Sequence, residues 1–136
     1  MKVNYKSVVD WRTYTDYLRC NPSFFGHERY DYALVEEGGH HFFVHLLHLF
    51  QVLVGAQLCP LAYVETYCRP PGHMRRKDKD LGIYRLQLRA SRYQIISLDS
   101  IVRGALIVSD ADNPGEYLVV DTVDTDMFLR MKHLAF

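Results

Sequence analysis

Apolar and polar positions along the chain change period several times, and each change predicts an element. Ser7-Val8-Val9-Asp10 has the form of a capping box, a hydroxyl followed three residues later by a carboxylate. Val8, Trp11, Thr15 and Leu18 then recur at helical spacing, with Tyr14 beside them, until Asn21-Pro22 stops the run. The pattern predicts a helix over about residues 8–19. Tyr30-Asp31-Tyr32-Ala33-Leu34-Val35 is aromatic and β-branched and ends at Gly38-Gly39, so it reads as a strand.

The stretch that follows supports two readings. Phe43, Leu46, Leu47, Phe50 and Leu53 fit a helical stripe, with His41, His45 and His48 on its polar side. Yet Gly55 separates two apolar runs, and a hairpin of 42–53 and 57–66 accounts for both halves; it is the reading taken. Cys68 to Asp80 turns to loop, with Pro70-Pro71-Gly72 and a cluster of charges. Tyr84-Arg85-Leu86-Gln87-Leu88-Arg89 alternates strictly, as a half-buried strand does. Short strands are expected at 93–96, 105–108 and 117–120, the last two separated by the turn Asp112-Asn113-Pro114-Gly115. A closing helix is expected over about 126–134, with an early acid and late Lys132 and His133. The sum is a single domain, 1–136, of α+β class and β-dominated. It is a small, partly open β-barrel (about 30–121) of short, mainly antiparallel strands between an N-terminal and a C-terminal helix.

Composition narrows the function classes. The chain has 136 residues, with 16 basic and 16 acidic side chains and a formal net charge of zero. That balance argues against a binder that uses its whole surface for nucleic acid or membrane. Cys20, Cys59 and Cys68 are an odd set with no C-x-x-C pair, which fits a reducing compartment and gives zinc no ligand spacing. The N-terminal residues lack the apolar core of a signal peptide. The run 42–54 is too short to span a bilayer, so an intracellular, soluble protein with no membrane partner is expected. No phosphate loop, nucleophile elbow or spaced Cys-His pair occurs, which supports neither an enzyme nor a cofactor.

Three groups of residues invite chemistry. His41, His45 and His48 would share a face on a helix, whereas on a regular strand His48 would point away from the other two. Asp110-Ala111-Asp112-Asn113-Pro114-Gly115 opens like a calcium loop, but Pro114 supplies no side-chain oxygen at the fifth ligand position. Asp121, Asp124 and Asp126 are the weaker alternative, a Mg²⁺ site of a nuclease; the simpler role is capping and dipole compensation at the last helix.

Charge segregation is more informative. From Arg69 to Arg92 eight bases face two acids, a balance of +6; from Asp110 to Asp126 six acids face no base, a balance of −6. The two stretches either neutralise one another across neighbouring strands or leave a basic face. Arg69, Arg75, Arg76, Lys77 and Lys79 are the candidates for contact with a nucleic-acid backbone. The 10 Tyr, 7 Phe and Trp11 could also converge as a cage for a methylated lysine.

Specific strings carry a family resemblance. They are Phe24-Phe25-Gly26-His27-Glu28-Arg29-Tyr30-Asp31-Tyr32-Ala33-Leu34-Val35, Pro60-Leu61-Ala62-Tyr63-Val64 and Arg75-Arg76-Lys77-Asp78-Lys79-Asp80-Leu81-Gly82-Ile83-Tyr84-Arg85. Ser100-Ile101-Val102-Arg103-Gly104-Ala105 and Asp121-Thr122-Val123-Asp124-Thr125-Asp126-Met127-Phe128-Leu129-Arg130 complete the set. Over about residues 10–133 the chain resembles the C-terminal region of Plavaka-type, CACTA-like transposases of fungi. The resemblance implies a region without that family's catalytic acids, a nuclear location, and docking to a transposase core. More loosely, the strand pair, the variable loop and Ile95-Ile96-Ser97-Leu98-Asp99-Ser100-Ile101-Val102 resemble a bromo-adjacent homology (BAH) domain, which implies a small barrel that binds chromatin protein. The expected function is a non-catalytic binding domain for chromatin protein or DNA. The alternatives are a structural accessory domain or domesticated relic without a ligand, and a metal-dependent nuclease fragment.

Overall fold

The computed structural model describes residues 1–70 and 82–134. Among these, the strands are β1 (Lys2–Lys6), β2 (Thr13–Tyr17), β3 (Cys20–Phe24), β4 (His27–Tyr30), β5 (Tyr32–Glu37), β6 (His40–Val54), β7 (Gln57–Cys68), β8 (Arg85–Ser97), β9 (Ile101–Ala105), β10 (Ile107–Ser109) and β11 (Glu116–Val119). A 3₁₀ turn, Leu98–Ser100, precedes β9, and helix α1 (Thr125–His133) closes the described chain.

Seven strands pair in the order β10-β11-β8-β7-β6-β5-β9, every pair antiparallel. The two edge strands, β9 and β10, are separated in sequence by Leu106 alone. One stretch of chain therefore hydrogen-bonds to β5 at its start and to β11 at its end, and the sheet curls into a nearly closed barrel. Closure leaves few bare edges, which is how small antiparallel sheets avoid open pairing. The β-dominated α+β barrel is as the sequence predicts.

The interior is built by side chains from all seven strands. Leu34, Phe43, Tyr67, Leu86, Ile107 and Val119 are buried there with Met127 and Met131 of α1, beside the partly buried Val102 and Ala105 of β9. The opposite face of β5–β8 carries Ala33, Val35, Val44, Leu46, Ala62, Val64 and Ile96, covered by Val3 and Leu18 of the N-terminal segment. Because β5 and β6 are buried on both faces, their sequences are runs of apolar residues rather than alternations. That also explains why 43–53 counts equally well as helix or strand. The hairpin of β6 and β7 is what forms, turning at Gly55, whose φ of 63° is a conformation that suits glycine.

The expected helix over 8–19 is absent; β1 and β2 form a hairpin instead. The capping residues serve its turn. Ser7 Oγ accepts from the Val9 N–H and Asp10 Oδ1 from the Arg12 N–H, while the Ser7 N–H donates to the Arg12 carbonyl. Trp11 sits at a φ of 61°, and the Val8 N–H donates to Asp126, 118 positions away. Thr13-Tyr14-Thr15-Asp16-Tyr17 has strong strand propensity, and its partner strand Lys2–Lys6 takes up its backbone hydrogen bonds. The segment has the caps of a helix and the tertiary environment of a strand.

At the other end, Asp124 is the N-cap of α1, accepting from the Met127 N–H at 3.1 Å, and Arg130, Lys132 and His133 occupy the last turn. The expected strands 84–89 and 93–96 form one long strand, β8. Its pairing with β7 slips between Glu65↔Tyr93 and Tyr67↔Leu88. Residues 89–92 are bulged out there, held by Thr66 Oγ1, which donates to the carbonyls of Ser91 (2.9 Å) and Arg92 (3.2 Å).

Candidate functional site: a basic cleft at one end of the long hairpin

The bulge in β8 decides where its arginines go. Before it, Arg85 is buried and ion-paired to Asp110 at 2.7 Å and to Glu116, on and beside β11. Asn113 and then Arg85 bond the Asp110 carboxylate and hold it down at about 2. Here the basic and acidic stretches do neutralise one another. Asp110 also bonds the Asp112 N–H, so the calcium-like string is a turn tied to an arginine. At the far end of the bulge, Arg92 reaches back to Glu65. Arg89, on the bulge itself, lies over the Phe42 ring at 5.4 Å. It makes no ion pair among the described residues.

Beside Arg89 the start of β6 and the end of β7 enclose a cleft of about 190 Å³. His40, His41, Phe42, Tyr67, Cys68, Arg69 and Arg89 line it, with no carboxylate among them. His41 Nε2 stands 3.5 Å from Glu36 on β5, and its Nδ1 is buried without a hydrogen-bond partner. Two guanidinium groups and two imidazoles make a site for an anion.

Of the five candidate backbone contacts, Arg69 lies in this cleft. Arg75, Arg76, Lys77 and Lys79 fall outside the described residues. Sequence reading missed His40, Phe42 and Arg89 as partners of Arg69. The alternation Arg85-Gln87-Arg89 marked one face of a strand, but only the bulge separates a paired arginine from an open one.

The acids of the nuclease alternative are otherwise engaged. Arg103, buried on β9, donates to Asp124 (2.6 Å) and Asp126 (2.7 Å) and stands 3.4 Å from Asp16. Its guanidinium lies 4.1 Å from the Tyr5 ring centroid. Asp126 also accepts from Arg130 (2.7 Å) and from the Val8 N–H (2.6 Å). Burial works to raise both carboxyls, but bonds from Arg103 to Asp124, and from Arg130, Val8 and Arg103 to Asp126, leave both below the ordinary carboxylate value. Asp121 is buried where the chain leaves β11. The described residues include no cluster of His, Cys, Asp or Glu able to hold a metal.

The histidine trio also resolves by register. A bulge at Leu47 shifts the β6–β7 pairing and returns His48 to the face of His45, where a regular strand would have sent it away. His45 is stacked on Tyr32 at 4.3 Å with Nδ1 3.6 Å from Glu65, while His48 is exposed against Phe50. Tyr32, Tyr67 and Tyr117 converge at this point, but they pack on one another, and Tyr67 is 1% exposed. Burial and the neighbouring Tyr32 and Glu65 push the Tyr67 hydroxyl far up, so it stays a donor, to Glu65 at 3.1 Å. Trp11 stands apart, exposed beside Lys6 on the N-terminal hairpin.

All three cysteines are free. No helix among the described residues is long and apolar enough to cross a membrane. Neither a family model, nor a curated protein, nor a solved structure matches the chain.

Proposed function

We propose that the chain is a non-catalytic binding module, descended from a Plavaka-type transposase as its resemblance implies, that holds DNA by backbone phosphate at the basic cleft. One observation carries the reading: among the described residues, Arg69, Arg89, His40 and His41 line a single cleft. A phosphate placed there meets the guanidinium groups of Arg69 and Arg89 beside the imidazoles of His40 and His41. The cationic stretch containing Arg75, Arg76, Lys77 and Lys79 follows Arg69 in sequence and is assigned to the same role by charge alone. The closed packing of Tyr32, Tyr67 and Tyr117 favours a phosphate ligand over a methylated lysine, which requires an open cage. A nuclear location belongs to the same proposal.

The test is fluorescence anisotropy with a short labelled duplex at a series of salt concentrations. Wild type is expected to bind with an affinity that falls steeply as salt rises. The double variant Arg69→Ala/Arg89→Ala should lower the slope of log affinity against log salt by about 2, about one per cation removed. The triple variant Arg75→Ala/Arg76→Ala/Lys77→Ala should lower it further. Binding that ignores salt, or a cleft variant that binds like wild type, would sink the proposal.

A further inference from the structure

The other end of the same hairpin carries a different surface. The face of β6 and β7 that lines the interior at Phe43 and Tyr67 passes the barrel rim at His45 and Glu65. By register it then emerges at Tyr63, with Tyr93 and Ile95 of β8 beside it. The pairing of β7 with β8 ends at Leu61↔Ser97, and that of β6 with β5 at His45↔Tyr32. Residues 50–60 therefore project as a ribbon of two strands that, among the described residues, pair only with each other.

Both faces of this arm expose apolar side chains, with Gln51 and Gln57 their polar members. Val52 and Val54 continue the Tyr63 face, at 39% and 62% exposed, while Leu53 and Leu58 oppose one another on the reverse face at 64% and 59%. An isolated two-stranded ribbon is marginal in water, and an exposed apolar one invites pairing. Its two edges differ. Pro60 interrupts the β7 edge, where it can donate no hydrogen bond. The β6 edge from Phe50 to Val54 has no proline, and residues 38–64 contain no Asp, Glu, Lys or Arg. The usual protections of an edge strand are missing where they would be needed.

We infer that the arm is a dimerisation element, in which the β6 edges of two copies of this chain pair antiparallel across a twofold axis near Val52. Charge selects the occupant. An arm without ionisable acids or bases offers nothing to a nucleic acid or a charged peptide, and it meets its own copy without like-charge repulsion. Self-pairing also satisfies the open β6 edge of each copy with the same residues of the other, the self-complementarity that a twofold interface needs.

Sedimentation equilibrium over a range of concentrations reads the outcome directly. Wild type is expected at twice the chain mass, dissociating on dilution and holding in high salt. Leu53→Lys/Leu58→Lys should sediment as a monomer with an unchanged circular dichroism spectrum. Leu53→Thr/Leu58→Thr, which keeps strand propensity, should weaken the dimer at least tenfold and serves if the lysine variant misfolds. Amide exchange at residues 50–54 should slow in the dimer. A wild type that stays monomeric at ~100 μM, where a standard interface associates, overturns the inference. A dimer indifferent to both variants overturns it as well.

Discussion

Arg103 and Arg89 are the same side chain on the same sheet, put to opposite uses. Arg103 is 5% exposed and meets Asp16, Asp124 and Asp126 together with the face of Tyr5. It ties three distant pieces of chain to one point: the N-terminal hairpin, β9 and the N-terminus of α1. Arg89 is exposed, rests on Phe42 and makes no ion pair among the described residues. A cation surrounded by carboxylates has its charge consumed by the fold. A cation braced by an aromatic ring keeps its charge for something outside it.

Substitutions at the two sites should separate accordingly. The largest effect is expected for Arg103→Met, which leaves Asp124 and Asp126 facing one another without their shared partner. A loss of about 3–5 kcal/mol is expected in urea unfolding, the range for breaking one side of a buried pair. A loss below about 1 kcal/mol would mean that the knot is ornamental. Acid should act on the same knot. Carboxyls held below their ordinary value in the folded state stabilise it fully above the unfolded value, and that contribution is lost as pH falls through the folded one. Asp124, Asp126 and Asp110, the last near 2, are all shifted down. The melting temperature should therefore hold from neutral pH to about 4 and drop between about 4 and 2, with Asp126→Asn flattening the drop.

Gly104→Ala should cost less, about 1–2 kcal/mol. A Cβ there would stand 2.8 Å from the Leu18 side chain and 3.3 Å from the Asp16 carboxylate that accepts the Gly104 N–H. Leu18 is buried and has little room to yield. Thermal melts read that difference. The smallest effect on stability, within about 0.5 kcal/mol, is expected for Arg89→Gln. The same variant should reduce the salt slope of DNA binding by about 1. A comparable loss of stability at both arginines would erase the distinction between them.

Much of the barrel was legible along the chain because its signals are local. The Gly38-Gly39 and Gly55 turns, the alternation at 84–89, the turn at 112–115 and the Asp124 cap each depend on a few neighbouring residues. The N-terminal helix failed for the converse reason. Ser7 and Asp10 suit a helix start, but the Val8 N–H is taken by Asp126 across the molecule. Arg69 was visible as a candidate from charge clustering. Arg89 was not separable from Arg85 and Arg92, since all three stand in one basic stretch and the difference lies in a bulge held by Thr66. The arm escaped notice because a continuous apolar run reads the same whether it is buried or projects into solvent.

By itself, then, the sequence determined a β-dominated domain, its long hairpin, its closing helix, and a +6 stretch set against a −6 stretch. Periodicity and turn chemistry are properties of neighbours, and they survive without the fold. Tertiary structure alone decided which charges cancel, as at Arg85 and Arg103, and which stand outside those ion pairs, as Arg89 does among the described residues. It also decided which end of the apolar hairpin lies in the core and which projects. Those outcomes depend on strand register and on bulges, where a shift of one residue changes the face that every later side chain presents.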